Sequence, residues 1–501
     1  YEEAINQHNK AIELKPEYTD AYFNRGNALV ELGYNEETVS TCRKIIKINP
    51  LYTAAYYILG NSLGQLGKYQ EAMTYYNKAI VLKPNEANAY NNLGNIFCAV
   101  GRYEDGILSY QMATLLEPYH AEAFNNLGAA FNELGRNNGA ILELKKAIEI
   151  NSNFAEAYNN LGLSFEALSE SSQAITYFNK AIQTQPYYAD AHNNLGSVLS
   201  WLGENKKATA SYQKAIILEP NNTNALSNLG ILLIQRKDFA GAAECFKLCN
   251  TEKSRSFLLR CFYHLNEKAL FEEHLDELMT QEDCNAVVGS FVCRAVQKFG
   301  TTKPNLFCQD PISYVVSTDL QSFSDFENIF VKPVKDILHA NKISHKKQGL
   351  LTNGIQTAGN LFVSEGVATK GIQKVIHSEI EKYRHLFKDS EEGLVKNWPN
   401  EYSIYGWLVS MKSGGELRAH MHENGWLSGS VYINVPPKKD RNSGNLVVCI
   451  DEDTEGTEAL KKTIDVFTGM LCLFPASLLH YTIPFESDED RIVLAFDVVP
   501  R

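Results

Sequence analysis

Between residues 1 and 250 apolar positions recur at helical spacing, and small residues break the stripe at fixed intervals. Glycines stand at Gly26, Gly60, Gly94, Gly128, Gly162, Gly196 and Gly230, each 34 residues after the last. Pro16, Pro50, Pro84, Pro118, Pro186 and Pro220 keep the same period, with Ser152 in the remaining place. A second glycine follows seven residues after the first in five of the seven copies (Gly33, Gly67, Gly101, Gly135, Gly203). This pattern predicts a pair of helices joined by a tight turn and repeated along the chain. A small residue lets the two helices approach, and proline stops the second before the next pair begins.

The period, the small crossing residue, the alanine of the second helix (Ala79, Ala113, Ala147, Ala181, Ala215) and the closing proline resemble tetratricopeptide repeats. The likeness implies an all-α solenoid of about seven 34-residue repeats over residues 1–250. After Gly230 the beat fails, although amphipathic helical text runs on to about Gly300 (FLLRCFYHLNEKALFEEHLDELM, CNAVVGSFVCRAVQKF). Residues 251–300 are therefore expected to be a helical cap or linker, since a terminal repeat otherwise leaves an apolar face bare.

Near Thr301 the pattern changes to short alternating runs rich in β-branched and aromatic residues, beginning with TTKPNLFCQDPISYV. Two helices are predicted within 331–388, and His339, His345, His377 and His385 on or between them lack partners at ligand spacing and read as surface or packing residues. Strands are predicted at EYSIYGWLVSM, RAHMHENGWLSGSVYINV, GNLVVCI, GMLCLFP and RIVLAFDVV, with a turn at SGGEL. Short strands with glycine and proline turns over 301–501 suggest a jelly roll or double-stranded β-helix, cupin-like, with supporting helices.

That β region holds the candidate chemistry. In a strand, His420 and His422 share a face and could chelate one ion, while Met421 and Glu423 point the other way. An HxH pair alone says little. Downstream, His480 follows GMLCLFPASLL, and Arg491 opens another strand eleven residues later. HMHENGWLSGSVYINVP and GMLCLFPASLLHYTIPF, with the arginine, resemble the branch of Fe(II)/2-oxoglutarate-dependent oxygenases that carries HxH...SG..Y and G.L.LFP....H...P signatures. The resemblance implies that His420 and His480 hold iron, that Arg491 binds the far carboxylate of 2-oxoglutarate, and that Tyr432 adds a hydroxyl to the same carboxylate. It also implies Fe(II), 2-oxoglutarate and O2 as the working set. Hydroxylation is then the default outcome; desaturation, demethylation and halogenation stay open.

His422 stands where that superfamily ordinarily has a carboxylate, and three readings remain. It completes an all-nitrogen triad one negative charge short; or Glu423 or Asn424 reaches the metal through a bulge; or the site has two protein ligands and room for an extra anion.

Two residues before the repeating glycine stands asparagine in six of seven copies, Asn24, Asn92, Asn126, Asn160, Asn194 and Asn228, with Ile58 the exception. Asparagine is a mediocre helix former, so its recurrence inside helices asks for a reason. An amide can bond an extended peptide's backbone whatever the peptide's side chains. The pattern resembles the asparagine ladder of O-GlcNAc transferase repeats, which implies a concave surface that grips substrate polypeptide. Alternatively the amides bond neighbouring helices, or record duplication of one parent repeat.

Composition narrows the partners. The 501 residues carry a formal net charge of −12 and no basic patch, which argues against nucleic-acid or anionic-membrane binding. Ten cysteines without a CxxC pair suit a reducing, cytoplasmic setting. No apolar run reaches the roughly 18 residues of a membrane span. Joining the halves gives an expected peptide or protein hydroxylase, against two alternatives: an adaptor with a degenerate β-domain, and an oxygenase acting on a small metabolite. Oligomeric state is not legible.

Overall fold

The computed structural model describes every residue except 323–324, 340–344, 347–349, 358, 363–366 and 452–459; the side chains of His339 and His345 also lie outside the described set. The chain divides into two compact units, Tyr1–Asn228 and Leu229–Arg501. The helices expected as a cap over 251–300 thus belong to the same unit as the β region. No helix among the described residues is long and apolar enough to cross a membrane.

The first unit is a tetratricopeptide solenoid of helix pairs. Pairs such as Ala87–Ala99 with Tyr103–Leu116 and Ala155–Ala167 with Ser171–Thr184 combine a 13-residue and a 14-residue helix. The crossing glycine is a steric requirement in most copies. A Cβ on Gly94 would sit 2.5 Å from the Tyr110 ring, and one on Gly162 would sit 2.6 Å from the Phe178 ring. The turn glycines adopt φ between 68° and 78°. Where the repeat lacks that glycine, Ser169 and Lys237 hold the same left-handed conformation at φ 61° and 60°.

In the second unit the repeat beat fails for a local reason. Helix Phe239–Cys249 has 11 residues, and Asn250 ends it in the left-handed region at φ 46°. Thr251 then caps Glu252–His264 through a reciprocal capping box with Ser254. This helix, Lys268–Thr280 and Ala286–Phe299 share a core built on Phe257, Phe271 and Phe291.

Among the described residues ten strands follow: β1 (Val316–Asp319), β2 (His345–Lys346), β3 (Leu351–Thr357), β4 (Tyr402–His420), β5 (Leu427–Asn434), β6 (Leu446–Cys449), β7 (Lys461–Ile464), β8 (Met470–Pro475), β9 (Leu479–Thr482) and β10 (Arg491–Pro500). They form one curled antiparallel sheet of the jelly-roll kind, ordered β1-β8-β5-β10-β4-β9-β6-β7, with β3 also on β4. Helix Val367–Leu386 lays Ile372, Ile376 and Ile380, four residues apart, into its main core. His377 and His385 on that helix are exposed. The predicted turn at SGGEL is instead an irregularity within one 19-residue strand: β4 runs on to His420, with Gly414 at φ 71° absorbing the bend. This continuity lets one strand pair with β10 through its first half and with β9 at its end.

Candidate metal centre

His420 is the last residue of β4, and His480 on β9 is its direct cross-strand partner. His422 lies beyond the strand, in the turn toward β5, rather than on it as the alternation predicts. It nevertheless joins the same cluster, its Nε2 3.3 Å from that of His420. One nitrogen of each ring lies within 4.8 Å of the others, and among the described residues no other such cluster occurs.

Hydrogen bonds fix the tautomers of two rings. His420 Nδ1 meets the Arg418 carbonyl at 2.8 Å, and His422 Nδ1 meets the Asp497 carboxylate at 2.6 Å. Both partners only accept, so each Nδ1 carries a proton, and in the neutral ring Nε2 is then the nitrogen that presents a lone pair. In that tautomer two lone pairs would face each other at 3.3 Å, an arrangement that a cation between them relieves. His480 is buried, and its Nδ1 has no hydrogen-bond partner. Burial, with the neighbouring His422 second, pushes His420 down to about 4. Burial, then His420 and His422, holds His480 well below the ordinary imidazole range. Both rings are therefore neutral, the form that ligates, near neutral pH. The donor set fits a divalent transition metal such as Fe(II).

Arg491 and Tyr432 line the same narrow cavity as the histidines, with Trp407, Leu446 and Thr482. Both are only 1% exposed. Arg491 Nη1 donates to Thr482 Oγ1 at 3.0 Å, its guanidinium carbon lies 5.2 Å from the centre of the Tyr432 ring, and its Nε has no partner. Burial lowers the arginine's pKa, and among the described residues no carboxylate compensates it. A buried cation without an anion is costly, so this corner of the cavity suits a ligand carboxylate. Burial correspondingly raises the Tyr432 pKa far above the ordinary phenol value and keeps its hydroxyl protonated.

Glu423 and Asn424 turn away from the cluster. Glu423 pairs with Arg260, and Asn424 accepts from Lys253 Nζ at 3.0 Å, both on helix Glu252–His264. Sequence reasoning missed Asp497 and left Ser428 without a role. Along β10, Arg491, Val493, Ala495 and Asp497 share one face. The β5–β10 register sets Ser428 opposite Asp497, and its hydroxyl donates to Asp497 Oδ1 at 2.8 Å. Alternation counted from Arg491 was the available signal.

The recurring asparagines form a ladder within the solenoid. Asn126, Asn160, Asn194 and Asn228 donate to Asn91, Asn125, Asn159 and Asn193, at 3.1, 2.9, 3.0 and 3.0 Å, each 35 residues back. Asn92 bonds Tyr57 and Asn61 instead, and Asn24 is exposed. The acceptors are the buried first members of NN pairs, a doublet the sequence repeats at 34-residue intervals.

Residues 405–497 match the family described as "Putative 2OG-Fe(II) oxygenase". Tetratricopeptide families match residues 1–33, 60–101 and 128–169, then 189–222, and also 19–50 and 155–188. No curated protein sequence matches the chain. Similar solved structures include MamA, 28% identical over 32% of this chain and 95% of MamA, with a TM-score of 0.30. YrrB, described as a TPR protein with an unusual peptide-binding site, is 25% identical over 37% of this chain and 95% of its own, with a TM-score of 0.31. A tetratricopeptide repeat protein from Parabacteroides merdae is 19% identical over 48% of this chain and 97% of its own, at a TM-score of 0.43. The chain carries N-terminal tetratricopeptide repeats joined to a C-terminal domain of the 2OG-Fe(II) oxygenase family.

Proposed function

We propose that the β-domain is an Fe(II)- and 2-oxoglutarate-dependent oxygenase that hydroxylates a peptide or protein engaged by the repeats. One observation carries the reading: a single cavity holds three converging imidazoles and a buried guanidinium that no carboxylate among the described residues pairs. His420, His422 and His480 would hold the iron. Arg491 would receive the far carboxylate of 2-oxoglutarate on its planar donor fork, with the Tyr432 hydroxyl beside it. When bound, iron, cosubstrate and dioxygen supply oxidative decarboxylation to succinate and carbon dioxide, coupled to insertion of one oxygen atom into a C–H bond. Trp407, Leu446 and Val493 line the cavity and exclude water from it. The ten free cysteines support a reducing, cytoplasmic setting.

The test is Fe(II)-dependent conversion of 2-oxoglutarate to succinate by the purified chain in air, with no other substrate added. Turnover above that of His480→Ala is the expected result. Equal turnover in the two proteins overturns the reading and leaves the adaptor.

A further inference from the structure

The cluster is made of three imidazoles with no carboxylate among them, yet a carboxylate stands one hydrogen bond behind. Asp497 is 8% exposed, and its Oδ1 accepts from both His422 Nδ1 at 2.6 Å and Ser428 Oγ at 2.8 Å. Among the described residues its ion-pair partner is His422 alone. Ser428 is 1% exposed, Trp407 sets its ring at 66° to that of His422 with centroids 5.2 Å apart, and a Cβ on Gly425 would lie 3.3 Å from Asp497 Cγ. The carboxylate is thus held on three sides with its charge directed at one imidazole.

We infer that Asp497 is the positioning residue that supplies this all-histidine centre with its negative charge, acting on a bound divalent metal through His422. An acceptor at Nδ1 fixes the tautomer that leaves Nε2 free to ligate, and the anion makes that nitrogen a stronger donor. The carboxylate ordinarily found at the position of His422 is in effect moved outward. Its charge stays near the metal while a neutral ring takes the coordination position. Ser428 holds the second lone pair of Oδ1, so the carboxylate cannot rotate away from the ring.

The inference rests on the metal-binding reading above, and Mn(II) binding to the full chain, by calorimetry and electron paramagnetic resonance, separates the two. Asp497→Asn is isosteric and retains an acceptor for Nδ1–H, so it removes charge while sparing geometry. It should weaken Mn(II) about 10- to 100-fold, the usual effect of losing such a partner. The melting temperature of the metal-free protein serves as the folding control. His422→Asp restores a carboxylate ligand beside Asp497; in that background Asp497→Asn should no longer weaken Mn(II), because two neighbouring carboxylates repel.

If wild type binds no Mn(II) and makes no succinate, both readings fall together. If wild type binds and Asp497→Asn binds within about threefold of it, this inference falls and the oxygenase reading stands. A larger loss that recurs unchanged in the His422→Asp background marks a purely structural role and also overturns the inference.

Discussion

Arg491→Met tests the unpaired guanidinium directly. Removing that group from water without an anion costs several kcal/mol. Against this, the charged hydrogen bond to Thr482 Oγ1 at 3.0 Å returns about 2 kcal/mol. Its position over the Tyr432 ring, 5.2 Å from the centroid, returns about 1 to 2 kcal/mol more. The balance is near zero or slightly unfavourable. A methionine of similar length should therefore leave the ligand-free domain unchanged or up to about 2 kcal/mol more stable, a melting rise of a few degrees. With Mn(II) present, 2-oxoglutarate at about 100 times its Kd should stabilise wild type by about 2.7 kcal/mol and leave the variant unmoved. Thermal unfolding by calorimetry, with and without the diacid, reads both effects. A ligand-free variant that loses more than about 2 kcal/mol would show Arg491 to be a satisfied structural cation. A variant that keeps the 2-oxoglutarate shift would refute its assignment to the carboxylate.

Metal-free protein should lose stability as pH falls below the ordinary histidine value near 6.5, because the unfolded chain takes up a proton that folded His420 refuses until about pH 4. Over that window His420 alone accounts for about 3 kcal/mol, readable as a falling urea midpoint. Ser169→Gly and Lys237→Gly should each raise stability by about 1 kcal/mol, since φ values of 61° and 60° penalise a side chain; an unchanged midpoint contradicts this. Gly162→Ala should cost about 1 to 3 kcal/mol against the Phe178 ring. Gly26→Ala should stabilise by up to about 1 kcal/mol, because the nearest atom to its Cβ is the Thr41 methyl at 3.8 Å.

The repeats were legible because a strict period imposes a similar steric demand in most copies: Gly60, Gly94 and Gly196 each face a tyrosine ring that a Cβ would meet within 3 Å. The end of the solenoid was less so. An 11-residue helix closed by Asn250 looks, in sequence, like any amphipathic stretch with a polar residue after it. The histidines and Arg491 could be named from motif order, but SGGEL reads as a turn because glycine pairs usually make one. Only the pairing of β3, β9 and β10 along β4 shows that the strand continues through it. Asp497 escaped notice for a related reason. It lies 75 residues from His422, and a long-range hydrogen bond leaves no local signature beyond the parity of β10.

The ladder changes which groups could hold an extended chain. Asn92 and Asn126 each donate two bonds within the solenoid, so their amide hydrogens are committed. Asn61 and Asn95, three residues after the ladder position, do the opposite. Their oxygens accept from Tyr76 and Asn92, and from Tyr110 and Asn126, which orients the amides and leaves their N–H groups over. Both line a groove of about 620 Å³ with Asn35 and Gln65. The equivalent residues in later repeats are Ala129, Leu163, Ser197 and Ile231, none of which carries an amide. The recurrent asparagine is therefore best understood as the mortar between repeats. The amide N–H groups left over lie in the early repeats, on Asn61 and Asn95, each oriented by the ladder asparagine of the following repeat.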